Sequence, residues 1–197
     1  MTAYLIGDIK ITDPKGFGAY VEGAGATLDA FGARVVANAG RTEAPEGALP
    51  NGVLVVIAFE SLEKLRAWYQ SPGYAELLKM RLAATRSHIF AVEGTDQAPT
   101  SGAAGYVIAQ ITVTDAIRYE DYKSGAGASI TAFGGQFLVR AGQTEAVEGG
   151  PLGERVAVIA FDSFERAAAW YASPDYATPL AIRKESANAT VWITEGV

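Results

Sequence analysis

The chain has 197 residues, 49% of them hydrophobic, and 16 Lys and Arg against 22 Asp and Glu give a net charge of −6. This is ample apolar material for one large core or two small ones, and since neither sign of charge gathers into a block, phosphate-backbone binding is not expected as the main activity. Cysteine is absent, which excludes a disulfide framework, a thiolate metal site and a cysteine nucleophile.

The N-terminal stretch "MTAYLIGDIKIT" lacks a basic segment followed by a long apolar run, and no stretch approaches membrane-spanning length. A soluble, cytoplasmic protein with no membrane partner is the expectation. Residues 3 to 11 alternate and are rich in Ile and Leu, as in a strand. "TDP" at 12 to 14 then offers Asp13 as N-cap and Pro14 at the first helical position, leading a helix toward Phe31 whose glycines weaken it. "ARVVANAG" and "GVLVVIAF" read as strands two and three, joined by "RTEAPEGALPN", a hairpin loop in which Glu43 and Glu46 are expected to be solvated, with a place at a cavity mouth as the alternative. Ser61 caps a helix with Leu62, Leu65, Trp68 and Tyr69 at helical spacing. Ser71 and Pro72 start another, expected from about Gly73 to Arg86, and "SHIFAVEG" supplies the last strand.

This pattern then begins again. An offset of 102 residues pairs Tyr4 with Tyr106, Thr12-Asp13 with Thr114-Asp115, Tyr20 with Tyr122, Phe59 with Phe161, Trp68-Tyr69 with Trp170-Tyr171, Arg81 with Arg183 and Glu93-Gly94 with Glu195-Gly196. The register never breaks, so the chain is a tandem duplication. Residues 1–94 form the first repeat, the small and polar 95–104 a linker, and 105–197 the second repeat. Pro179 falls inside the last helix and is expected to kink or shorten it. Glu145 and Glu148 repeat the solvated loop positions.

Each copy is a βαββαβ unit, the ferredoxin-like arrangement of an antiparallel sheet with helices on one face. Counting by twos from strand 1, Leu5, Gly7, Ile9 and Ile11 belong under the helices. Tyr4, Ile6, Asp8 and Lys10 belong on the other face, with Arg34, Val36 and Asn38 of strand 2 and His88, Phe90 and Val92 of strand 4. So much apolar surface needs a cover. The economical cover is the same face of the other copy. The expected fold is therefore α+β: two ferredoxin-like repeats forming an intrachain pseudo-dimeric α+β barrel, with a further homodimer left open.

The segments "AYLIGDIKITDP", "FGARVVANAG", "VVIAFESLEKLRAWYQSPGYAELLKMR" and "FAVEG", with their second-copy counterparts, resemble the domain of unknown function 1330 family of the dimeric α+β barrel superfamily. Members usually carry one such domain and dimerise, so the resemblance implies a fused pseudo-dimer. It fixes no reaction. Superfamily neighbours include cofactor-independent monooxygenases, muconolactone isomerases and haem-binding enzymes, among which fold alone does not choose.

The copies differ most on the inferred interior face. The first holds Asp8, Lys10, Arg34, Asn38 and the sole histidine, His88; the second holds Gln110, Thr112, Gln136, Arg140 and Thr190. An antiparallel register that sets Asp8 opposite His88 makes a candidate catalytic pair, His88 as base and Asp8 as its orienter, with Arg34 or Asn38 holding an oxyanion. On this reading the protein is a cofactor-independent enzyme (an oxygenase, isomerase or lyase) acting on a small cyclic or aromatic metabolite. A second reading is a non-catalytic binding module for an apolar metabolite, walled by Tyr4, Phe90, Tyr106 and Trp192 with Arg140 nearby. A third is an interior packed shut, with Asp8 and His88 merely bonded in the wall.

Trp68, Tyr69 and Tyr74, with their repeats, are expected to be helix-packing aromatics, with a ligand cage as the alternative, and Arg81 and Arg183 to satisfy charges or carbonyls near the helices. "GAGAT" at 23 to 27 and "GAGAS" at 125 to 129 lack the full dinucleotide fingerprint and the P-loop Lys-Ser/Thr. His88 on a strand carries no haem motif. No cofactor, no metal and no nucleic-acid partner are expected, only a small organic molecule.

Overall fold

The computed structural model describes residues 1–97 and 102–197. The middle of the expected linker, 98–101, lies outside the described residues. The first copy runs β1 (Ala3–Ile11), α1 (Pro14–Asp29), β2 (Arg34–Asn38), β3 (Thr42–Glu46), β4 (Val53–Phe59), α2 (Leu62–Tyr69), α3 (Pro72–Ala84) and β5 (Thr85–Glu93). The second repeats it as β6 (Gly105–Val113), α4 (Ala116–Ala132), β7 (Gln136–Arg140), β8 (Thr144–Glu148), β9 (Arg155–Phe161), α5 (Phe164–Tyr171), α6 (Pro174–Ser186) and β10 (Ala187–Glu195). Each tandem half thus has the ferredoxin-like βαββαβ core, with the second helix broken in two.

The break follows from sequence. Ser71 accepts a hydrogen bond from the Tyr74 N–H at 3.2 Å, and Pro72 occupies the first turn, where no N–H is needed. Asp13 and Ser61 cap α1 and α2 in the same way. The glycines of α1 do not prevent the helix. At Gly23 a Cβ would lie 2.8 Å from Leu77 of α3, so the missing side chain lets the two helices approach. Gly125 makes the same allowance for Pro179 of α6. Pro179 does not shorten its helix: α3 and α6 both span 13 residues.

The expected hairpin loops are strands, and they are exchanged. The chain forms two compact units: Met1–Ala39, Pro50–Asp96 and Gln143–Pro151 make the first; Gly40–Leu49, Gln97–Gly142 and Leu152–Val197 make the second. The first unit's sheet has the order β2-β4-β1-β5-β8, and the second's has β3-β10-β6-β9-β7. In the first unit β8 pairs with β5 through Phe90–Ala146, Ala91–Glu145 and Val92–Thr144. In the second, β3 pairs with β10 and carries Pro45 at the sheet edge, where a missing N–H is tolerated.

Each unit has its own core between the sheet and the helices. In the first it is built on Leu5, Ile57, Phe59, Leu65, Trp68, Tyr74 and Ile89; in the second, on Val107, Ile159, Phe161, Ala167, Trp170, Tyr176 and Ile193. On the opposite sheet faces Tyr4, Ile6, Val56 and Ile108 are fully buried. Among the described residues no helix is long and apolar enough to cross a membrane.

Candidate functional site

In the first unit a cavity of about 220 Å³ lies between the sheet and α1. Gly7, Ile9, Val55 and Ile89 belong to its sheet wall, Phe17, Tyr20, Ala24 and Gly25 to its helix wall, and Trp68, Tyr69, Tyr74 and Arg81 close it from α2 and α3. It opens on the helix side of the sheet, the face to which strand alternation assigns Gly7 and Ile9.

Its polar end is a chain of hydroxyls around one buried ion pair. The Tyr20 and Tyr74 hydroxyls are 3.4 Å apart, and Arg81 Nε donates to the Tyr74 oxygen at 3.1 Å. Arg81 Nη1 donates to Glu148 at 3.1 Å, Nη2 donates to the other oxygen of the same carboxylate, and the Tyr69 hydroxyl donates to Glu148 at 2.6 Å. Glu148 arrives on β8, so the second copy's arm completes the first unit's site. Burial pushes the Tyr20 and Tyr69 hydroxyls well above the usual phenol value, so both stay protonated at neutral pH. Burial alone would lower the Arg81 pKa, but its hydrogen bonds to Glu148 outweigh this and keep it charged. Among the described residues no aspartate, glutamate, lysine or histidine lines this cavity. It offers neutral hydroxyls, the Asn38 amide and one guanidinium already neutralised.

Asn38 reaches the cavity through a β-bulge. The register between β2 and β4 shifts between Val35 and Ala37, pairing Asn38 with Val55 and turning it onto the helix face. The second copy repeats the shift between Phe137 and Val139, and Arg140 thereby lines a second cavity, of about 330 Å³, in the second unit. The placement of Asn38 on the opposite face with Arg34 is corrected by this extra residue, which resets the count of two.

The remaining candidates are not brought together around either cavity. Asp8 does stand opposite His88 in the β1–β5 register. Its carboxylate, however, accepts the Asn51 N–H, the Asn51 side-chain amide and the Gly52 N–H, each at 2.9 Å, and thereby pins the turn before β4. His88 is exposed on the face away from the cavity, its ring against the backbone of Gly149. Arg34 is exposed. Tyr4, Phe90, Tyr106 and Trp192 are buried and line neither cavity. Two of these spend their polar atoms on backbone carbonyls: Tyr106 donates to Ala103 at 3.1 Å and Trp192 to Ala48 at 2.9 Å.

Sequence reasoning did not gather the polar lining of the first cavity, Tyr20, Tyr69, Tyr74 and Arg81, or the Glu148 that pairs with Arg81 behind it. Glu148 and Glu46 are ion-paired rather than solvated, Glu46 with Arg183 at 2.5 Å in the second unit. The available signal was recurrence, since three tyrosines, an arginine and a glutamate all repeat at the 102-residue offset within an otherwise apolar pattern. Among the described residues no cluster of three or more His, Asp or Glu is arranged to hold a metal.

An antiparallel sheet with helices on one face, carried twice, places the molecule among proteins of the dimeric α+β barrel fold. A "putative monooxygenase" from Lactobacillus acidophilus NCFM superposes with a TM-score of 0.57 at 10% identity, covering 100% of this chain and 93% of that one. A mutant chlorite dismutase from Candidatus Nitrospira defluvii gives 0.58 at 8% identity, with coverages of 100% and 91%. An anthrone oxidase-like protein gives 0.52 at 13%, with 100% and 91%. At such identities the likeness is one of fold. The chain belongs to the family described as Domain of unknown function (DUF1330), which it matches over residues 2–95 and again over 104–197. No curated protein matches it.

Proposed function

We propose that this protein takes up a small, mainly apolar cyclic or aromatic molecule in the cavity of its first unit. The observation that carries this is the lining itself: apolar walls from β1, β4 and α1, with Tyr20, Tyr69, Tyr74, Asn38 and Arg81 as the main polar groups. Enclosed apolar surface with a few oriented polar groups is what small-ligand sites consist of. Protonated phenols beside a neutralised guanidinium suit a carbonyl or hydroxyl on the ligand better than a free charge. Because, among the described residues, the lining holds no histidine, lysine or carboxylate, the geometry favours binding, or a reaction in which the protein stabilises charge on its substrate, over one driven by a side-chain base. A cytoplasmic location goes with this reading on the strength of the sequence alone.

The test is a thermal-shift screen of aromatic ketones, lactones and polyketide-like phenols on wild type beside Gly25→Leu. Gly25 lines the cavity and is exposed at its mouth, and a Cβ there meets no atom within 4 Å, so leucine obstructs the entrance without disturbing the helix. A ligand at a hundred times its dissociation constant adds about 2.7 kcal/mol of stability. Hits abolished by Gly25→Leu support the reading, and hits indifferent to it overturn it.

A second reading rests on the Asp8–His88 register. In it His88 is the base of a cofactor-independent oxygenase, isomerase or lyase, Asp8 its orienter, and Arg34 an oxyanion partner. Turnover of a screened compound lost in His88→Ala and retained in Gly25→Leu would select this reading. Full turnover by His88→Ala would remove it.

A further inference from the structure

The second unit's cavity has the same architecture and a different chemistry. It lies between α4 and the sheet, lined by Ile111, Tyr119, Tyr122 and Phe137 together with three cations, Lys123, Arg140 and Arg155. At the 102-residue offset the first copy has Val21, Asn38 and Val53 in place of those cations. Among the described residues no carboxylate lines the second cavity. Three unlike positions, one on the helix wall and two on the sheet wall, have thus diverged in charge toward one space.

Two of the cations are neighbours on the sheet at the exposed rim of the cavity. Arg155 pairs with Ile111 across β6–β9, and Arg140 pairs with Ala157 across β7–β9, so both guanidinium side chains start from the cavity face. Arg140 is diagonal to Arg155, at a Cβ separation of roughly 7 Å for such neighbours. Among the described residues neither makes a salt bridge. Each lies instead by an aromatic ring of the cavity wall, Arg140 5.1 Å from the centre of Phe137 and Arg155 5.8 Å from that of Tyr119. Lys123, on the opposite wall, pairs with Glu120 at 2.7 Å. In the first cavity, by contrast, Arg81 is fully neutralised by Glu148.

We propose that the second cavity binds a small organic carboxylate with an aromatic or alicyclic body. Arg140 and Arg155 would take the carboxylate through paired N–H donors, Lys123 would add charge from the helix side, and Tyr119, Tyr122 and Phe137 would pack the ring. The duplication then gives one chain two unlike sites, a neutral apolar one and an anionic-ligand one. This inference stands apart from the reading of the first cavity, and the experiment separates the two.

The probes are 2-naphthoate and its uncharged isostere 2-naphthamide, followed by their own fluorescence, with inorganic phosphate as a competitor. Wild type is expected to bind naphthoate saturably and at least about tenfold tighter than the amide, which is about 1.4 kcal/mol, and to weaken as salt is raised. Lys123→Val with Arg140→Asn and Arg155→Val, which installs the first copy's residues, should abolish the preference. Arg140→Asn alone, with circular dichroism to verify folding, should reduce it and serves if the triple variant does not fold. Gly25→Leu should leave naphthoate binding unchanged. Equal affinity for acid and amide, undiminished binding by the variants, or no binding at millimolar concentration would each overturn the proposal. Displacement by phosphate at concentrations where a carboxylate does not compete would overturn the carboxylate class.

Discussion

At the scale of single residues, the groups with the largest energetic consequence are the two buried arginines. The Arg81 side chain is 2% exposed and that of its partner Glu148 16%; for Arg183 and Glu46 the values are 1% and 18%. A guanidinium so placed needs its carboxylate. Glu148→Gln preserves shape but leaves a buried cation uncompensated, and should cost about 3 kcal/mol in urea denaturation at pH 7. Glu46→Gln should cost a similar amount. Burial by itself would raise the pKa of each glutamate, but the arginine and tyrosine hydrogen bonds outweigh it and hold both below the ordinary value of 4.5. A carboxylate whose folded pKa is depressed contributes stability above its unfolded pKa and loses it as pH falls through the folded pKa. Stability should therefore be flat from neutral pH to about pH 5 and decline below about 4.5. The decline should be shallower in Glu148→Gln, as read from urea midpoints across that range. An equal acid-side slope in both proteins would mean that the pair does not carry it.

At the scale of elements, the β-bulge of β2 decides which side chains the first cavity receives. The extra residue turns Asn38 onto the helix face, and the chain leaves the strand through Ala39 at a φ of +55°; Ala141 does the same after β7 at +56°. An L-residue with a Cβ is strained there by about 1–2 kcal/mol, while glycine in the unfolded chain costs about 0.4–1 kcal/mol in entropy. Ala39→Gly should accordingly be stabilising, by about 0.5–1 kcal/mol, and a lowered urea midpoint would contradict that account. The bulge also shows where sequence reading stops. Helix caps, the duplication and the β1–β5 register were legible because each rests on local residue chemistry or strict alternation. Alternation carries no mark of an inserted residue, so Asn38 and Arg140 were assigned to the sheet face opposite the one they occupy. Nor does periodicity reveal that Thr144–Glu148 pairs outside its own repeat, and so the partner of Arg81 looked like a solvated loop residue.

At the scale of the whole molecule, each unit is completed by an arm of the other repeat, and this makes a prediction about the separated copies. A fragment of residues 1–97 contains β3 but lacks β8, so its sheet loses the strand beside β5 and Arg81 loses Glu148. A second copy of the fragment can supply the need, because "TEAPEG" at 42 to 47 matches "TEAVEG" at 144 to 149 with Glu46 standing for Glu148. The Pro45–Val147 difference falls outside the three pairs that join β8 to β5. The fragment should therefore sediment as a dimer in which arms are exchanged reciprocally, a self-complementary arrangement, and its thermal midpoint should rise with concentration. Glu46→Gln in the fragment should weaken that dimer, because each mutation removes the partner of an arginine in the other subunit. A folded monomer of native-like stability would mean that the arm of the other repeat is not needed to complete the unit.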